Sequence, residues 1–67
     1  MQYESVKLGL NIKKLRIKKK ISQAKIASEV GVDKGFISLL ENGSANPTLT
    51  TITKVAKALG VSVEELF

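Results

Sequence analysis

The chain has 67 residues, with 11 basic side chains against six acids and a net charge of +5. Cysteine and histidine are absent, which excludes a disulfide framework, thiolate metal sites and the usual general base. The acids are scattered, and no Gly-rich phosphate loop or nucleophile motif occurs, so neither an enzyme nor a bound cofactor or metal is expected.

A domain this small buries only about 60% of its unfolded surface, so residues 1–67 are expected to form a single domain with one tight core. The longest apolar runs fall far short of the roughly 20 residues needed to cross a bilayer. Met1-Gln2-Tyr3-Glu4 lacks the charged start and apolar stretch of a signal peptide. The expectation is a cytoplasmic protein with no membrane partner. Charge is unevenly spread: residues 1–34 carry nine basic and three acidic residues, whereas residues 35–67 carry two and three. A basic half suggests a polyanionic partner, and solubility alone is the competing explanation.

Residues 6–20, VKLGLNIKKLRIKKK, place Leu8, Ile12 and Leu15 at i, i+4 and i+7, one face of a helix, with lysines over most of the other side. Ser5 is a candidate cap, Gly9 weakens the pattern, and Lys18-Lys19-Lys20 suits a helix C-terminus, where the macrodipole favours cations. Ser22 is a good N-cap for a second helix. Ile26, Ala27 and Val30 form its apolar stripe, and Gly31 ends it. Asp33 caps a third helix with Ile37, Leu40 and Glu41 on its inner side, and Asn42-Gly43 stops it. Pro47 prevents continuation, and Thr48 caps a fourth helix. There Leu49, Ile52, Ala56 and Leu59 repeat at helical spacing, which outweighs the strand preference of the β-branched residues between them. Ser62 to Glu65 reads as a capping box for a short final turn, with Val61 and Leu66 as its hydrophobic staple.

Two short helices joined through Gly31-Val32-Asp33 match the helix-turn-helix pattern. In that arrangement the first helix crosses the DNA backbone and the second presents its N-terminal residues to base edges in the major groove. With Ile37 and Leu40 inside, steps of about 100° turn Gly35, Ser38, Leu39 and Asn42 outward, with Lys34 on the flank. Lys34 stands at the first position of its helix, where the dipole disfavours a cation. DNA there resolves the conflict, so Lys34 is expected on a base edge or a phosphate. Gly35 lets the backbone approach DNA closely. Ser38 is a candidate for a base or phosphate, and Asn42 and Asn46 for phosphate. Leu39 offers no hydrogen bond. It reads either as a contact to thymine methyl groups or as a residue buried in the protein or at a dimer seam.

The stretches LGLNIKKLR (8–16), ISQAKIASEVGVDKGFISLLENG (21–43) and NPTLTTITKVAKALGVSVEELF (46–67) resemble the lambda-repressor-like (Cro/repressor, or XRE) helix-turn-helix family. The resemblance implies an all-α, five-helix DNA-binding domain of a transcriptional regulator that acts as a homodimer on a palindromic operator. By the same resemblance, Ser22 and Gln23 lie at the phosphate backbone and Gln23 braces a base-reading side chain. Lys25, where similar proteins often carry an acid, becomes a phosphate contact. Phe36 replaces a frequent tyrosine and is mainly structural, with possible contact to the DNA backbone. Arg16 and Glu41 form an internal ion pair between the first and third helices. Leu39 departs from the polar readers common at its position.

Val61, Val63, Leu66 and Phe67 are more apolar than so small a core needs and are the candidate dimer surface. Two readings stand beside a stand-alone regulator. One is the antitoxin of a toxin–antitoxin pair, which adds a protein partner. The other is the controller protein of a restriction–modification system. RNA is the weaker partner, because Tyr3, Phe36 and Phe67 are the only aromatic residues and supply no stacking platform.

Overall fold

A computed structural model describes residues 3–67, and of Tyr3 the backbone only. Met1, Gln2 and the Tyr3 side chain, which entered the signal-peptide and stacking arguments, lie outside the described residues. Four α-helices and one 3₁₀ turn follow in order: α1 (Tyr3–Lys18), α2 (Gln23–Val30), α3 (Lys34–Glu41), α4 (Leu49–Leu59) and the turn Val63–Leu66. Among the described residues no helix is long and apolar enough to cross a membrane.

At 8, 8 and 11 residues, α2, α3 and α4 are too short to be stable alone in water, so each depends on the apolar face it buries. Leu8 and Ile12 of α1 meet Ile26, Ala27 and Val30 of α2, Ile37 and Leu40 of α3, Val55, Ala56 and Leu59 of α4, and Leu66. Burying each large aliphatic side chain contributes roughly 1.5–3 kcal/mol. The caps act as the residue types predict. Ser22 Oγ accepts from the Lys25 N–H at 3.0 Å, Asp33 Oδ1 from Phe36 at 2.8 Å and Thr48 Oγ1 from Thr51 at 3.2 Å. Gly31 closes α2 in the left-handed region at φ +86°. At the final turn the Ser62 N–H donates to the Glu65 carboxylate at 2.8 Å.

Four expectations need correction. α1 starts at Tyr3, so Ser5 is a buried residue within the helix and not its cap. Gly9 is no weak point: a Cβ there would collide with the Leu40 carbonyl and lie 2.8 Å from that of Glu41, so its missing side chain lets α1 close on α3. Leu49 is 71% exposed, and Val55 takes its place in the core of α4. Leu49 occupies the first position of α4, roughly 70° round the helix from the middle of the buried stripe of Val55, Ala56 and Leu59. Leu66, assigned to the dimer surface, is fully buried in the chain's own core. The Asn11 amide holds that end in place, donating to the Leu66 carbonyl at 2.9 Å.

α1 ends without a glycine. Lys20 adopts φ +58°, a region that costs an L-residue roughly 1–2 kcal/mol. The chain is held there by the Ile21 N–H donating to the Arg16 carbonyl at 3.0 Å and by the Arg16 guanidinium donating to the Ile21 carbonyl, also at 3.0 Å.

Candidate nucleic-acid interface

The turn between α2 and α3 sets the two helices so that both N-termini lie at the surface. Gly31 and Val32 donate to the Ala27 carbonyl at 2.9 and 3.0 Å, which reverses the chain within one residue of the α2 C-terminus. Half-buried Val32 packs against the core, and Asp33 starts α3 at once. The connection is short because the glycine takes the left-handed conformation and the aspartate replaces the hydrogen bond that the helix start lacks.

On α3 the side chains divide as the 100° spacing requires. Ile37, Leu40 and Glu41 are buried; Lys34, Gly35, Leu39 and Asn42 are exposed; Phe36 and Ser38 are half-buried. A Cβ at Gly35 would meet only the Asp33 carboxylate, at 3.2 Å, so no other part of the protein covers that backbone. Leu39 is 51% exposed, which removes the alternative that it is buried within its own chain. Phe36 packs against the core edge, in line with a mainly structural role. Gly43, buried at φ +77°, follows the Asn42 cap, and a Cβ there would lie 2.9 Å from the Val6 Cα of α1.

The α2 N-terminus lies beside this face. Ser22 and Lys25 are exposed there, as is Asn46 in the loop after α3. Ser22 Oγ satisfies the Lys25 N–H, while the earlier N–H groups of α2, on Gln23 and Ala24, have no intrahelical acceptor. Such a pair at a helix start is suited to a phosphate. Sequence reasoning passed over Ala24 because its donor belongs to the backbone and no side chain marks it.

Gln23 is half-buried and turned inward, with its amide nitrogen donating to Glu41 Oε1 at 2.9 Å. In this structure the side chain it braces is Glu41. The same carboxylate accepts from Arg16 Nε at 2.7 Å and from its Nη2 at 3.2 Å. One buried carboxylate thus ties α1, the α2 start and α3 together. The arrangement has an electrostatic consequence at the surface: Glu41 is enclosed by Arg16 and Gln23 and presents no free negative charge there, whereas exposed Asp33 keeps its charge while capping α3.

Of the proposed dimer residues, Phe67 is 53% exposed, Val61 and Val63 are half-buried, and Leu66 is not available. Leu49 is a further exposed apolar side chain. A cavity of about 110 Å³ is lined by Leu8, Pro47, Ile52 and Phe67 among others.

Comparison with known proteins gives a consistent picture. A family model described as helix-turn-helix matches residues 12–66. The control protein C.MunI of a Mycoplasma species is 35% identical over 63 residues, which span 92% of this chain and 85% of that one. The helix-turn-helix-type transcriptional regulator y4dJ of Sinorhizobium fredii is 39% identical over 59 residues, 88% of this chain and 77% of the relative. Among solved structures, the restriction-modification controller protein C.AhdI of Aeromonas hydrophila superposes with a TM-score of 0.93 at 35% identity, covering 98% of this chain and 100% of that one.

Proposed function

Since this chain belongs to the helix-turn-helix family and is a DNA-binding transcriptional regulator, we propose that two copies bind a palindromic operator, each with residues 34–42 in the major groove. The observation that carries this reading is the outer side of α3. Lys34, Gly35, Leu39 and Asn42 are uncovered beside the α2 N-terminus, and the buried Glu41 carboxylate of the same helix is paired internally with Arg16.

In the bound state Ser22, Lys25, Asn42 and Asn46 hold phosphates, joined by the N–H groups of Gln23 and Ala24. These contacts set the register, and base contacts supply the sequence information. The inner hydrogen of the Gln23 amide is held by Glu41, which leaves its second hydrogen for a phosphate. Lys34 reads a base edge, with Ser38 beside it, and Leu39 packs on thymine methyl groups. Apolar contact to that methyl discriminates in the major groove without a hydrogen bond. Gly35 and Phe36 lie against the sugar–phosphate backbone. The protein is a regulator without catalytic activity of its own.

The two copies meet through Phe67, Leu49, Val61 and Val63, which puts the reading helices about 34 Å apart, one turn of the duplex. The half of the chain that carries this surface is nearly neutral, so two copies approach through it without the repulsion that the basic half would impose. A narrower reading, controller of a restriction–modification system, is favoured by the names of C.MunI and C.AhdI. It requires endonuclease and methyltransferase genes next to this one.

Selection of bound duplexes from a random pool tests the proposal. It should return a two-fold symmetric site whose affinity falls steeply with salt, by about 0.9 in log–log slope for each phosphate engaged. Lys34→Ala should alter the selected bases, whereas Lys19→Ala should weaken all duplexes about equally. Identical behaviour of the two variants would remove Lys34 from the readers, and a monomer both free and on DNA would remove the dimer.

A further inference from the structure

The outer face of α1 has no role in the reading above. Leu10 and Ile17 are 47% and 56% exposed, although each is large enough to be worth burying. They lie seven residues apart, two helical turns, and so share one side of the helix. Exposed Lys7, Lys13, Lys14 and Lys18 flank them, and Glu4 is the one acid in this helix. Among the described residues the one ion pair joins Arg16 to Glu41, so these four lysines have no carboxylate partner there. Isolated exposed aliphatics are ordinary. A stripe of them bordered on both sides by unpaired cations is a more specific surface.

Its direction can be read from the packing. α1 touches α3 through Gly9 and Arg16. Leu10 and Ile17 each follow one of these residues by a single position, so they are turned about 100° from that contact, and Lys14 is turned further still. This face therefore stays open to solvent while α3 occupies a groove.

We propose that the outer face of α1 docks an acidic amphipathic helix of another protein while the domain is bound to DNA. Charge complementarity selects this occupant. A second copy would oppose lysines to lysines. DNA would pair with the lysines but gains nothing from the aliphatics. Insertion into an anionic lipid surface needs a broad apolar helix face to bury in the interface, and α1 spends its main apolar side, with Leu8 and Ile12, on the core, leaving only Leu10 and Ile17 outside. A partner helix with carboxylates bordering an aliphatic ridge satisfies both parts of the surface, in the manner of helices that lay an apolar face on a groove. The proposal rests on the α3 reading only in that DNA leaves this face free; titration of the chain without DNA tests the surface by itself.

The probe is a synthetic helical peptide of leucine and glutamate, with leucines at i, i+3, i+4 and i+7, titrated into the full chain alone and saturated with duplex DNA. Backbone amide shifts locate the contact. The expected result is binding in both states, with shifts centred on Leu10, Lys13, Lys14 and Ile17. Leu10→Ser/Ile17→Ser should weaken it about tenfold or more, with duplex affinity unchanged. Thermal unfolding of that variant confirms that it folds. The proposal is overturned if the peptide does not bind or if DNA displaces it, since it then only mimics a polyanion at α3. It is overturned also if the double variant binds as tightly as the parent, or if vesicles rich in phosphatidylglycerol bind where the peptide does not. A change in oligomeric state on Leu10→Ser/Ile17→Ser would assign the face to a second copy instead.

Discussion

Arg16→Met isolates the contribution of the Arg16–Glu41 pair. Glu41 is 5% exposed and accepts three hydrogen bonds, two from Arg16 at 2.7 and 3.2 Å and one from Gln23 at 2.9 Å. An ion pair at the surface contributes about 0–1 kcal/mol. One partner left alone in the interior costs about 3–5 kcal/mol, and the burial of Glu41 puts this pair in the second class. A chain of this length has roughly 3–10 kcal/mol of stability in total, at 0.05–0.15 kcal/mol per residue, so Arg16→Met should remove a large share of it. In urea, with a slope near the low end for small proteins of about 1 kcal/mol/M, the midpoint should fall by about 3 M or the folded baseline should disappear. Arg16→Met/Glu41→Leu should recover most of the loss, because no buried charge is then uncompensated and an apolar pair fills the site. A midpoint within 1 M of the parent for Arg16→Met alone would refute the reasoning, as would a double variant no more stable than the single one.

Further outcomes follow from individual backbone and core positions. Lys20→Gly should raise stability by up to about 1 kcal/mol by relieving the left-handed conformation; thermal unfolding measures it, with slightly weaker DNA attraction as the cost of the lost charge. Gly9→Ala should lower stability by about 1–3 kcal/mol through the collision with the Leu40 carbonyl, although the same change in an uncrowded helix gains about 0.5–1 kcal/mol; the sign of the shift in denaturation midpoint decides. Leu66→Ala should cost about 2–5 kcal/mol in monomer stability, whereas Phe67→Ser should leave unfolding of the monomer nearly unchanged and weaken self-association in sedimentation equilibrium.

The helices of this protein were legible from sequence because their determinants are local. Ser22, Asp33 and Thr48 satisfy N–H groups within three residues of themselves, and Gly31 and Gly60 take the left-handed conformation at helix ends. The apolar stripes of α2 and α3 follow the helical repeat, so the outward side of the reading helix, from Lys34 to Asn42, was determined once Ile37 and Leu40 were known to face inward. Where periodicity failed, distant neighbours decided. Leu49 follows the repeat of α4, yet at the first position of that helix its side chain remains in solvent. Leu66 looked superfluous to so small a core, but α1 and α4 enclose it. Gly9 looked like a defect until α3 was packed on top of it. The inward turn of Gln23 depends on a carboxylate 18 residues away. Capping and periodicity are properties of a few consecutive residues and are written in them. Burial, close approach and the partner of a side chain are set by which surfaces meet in space, and only the packed chain determines that.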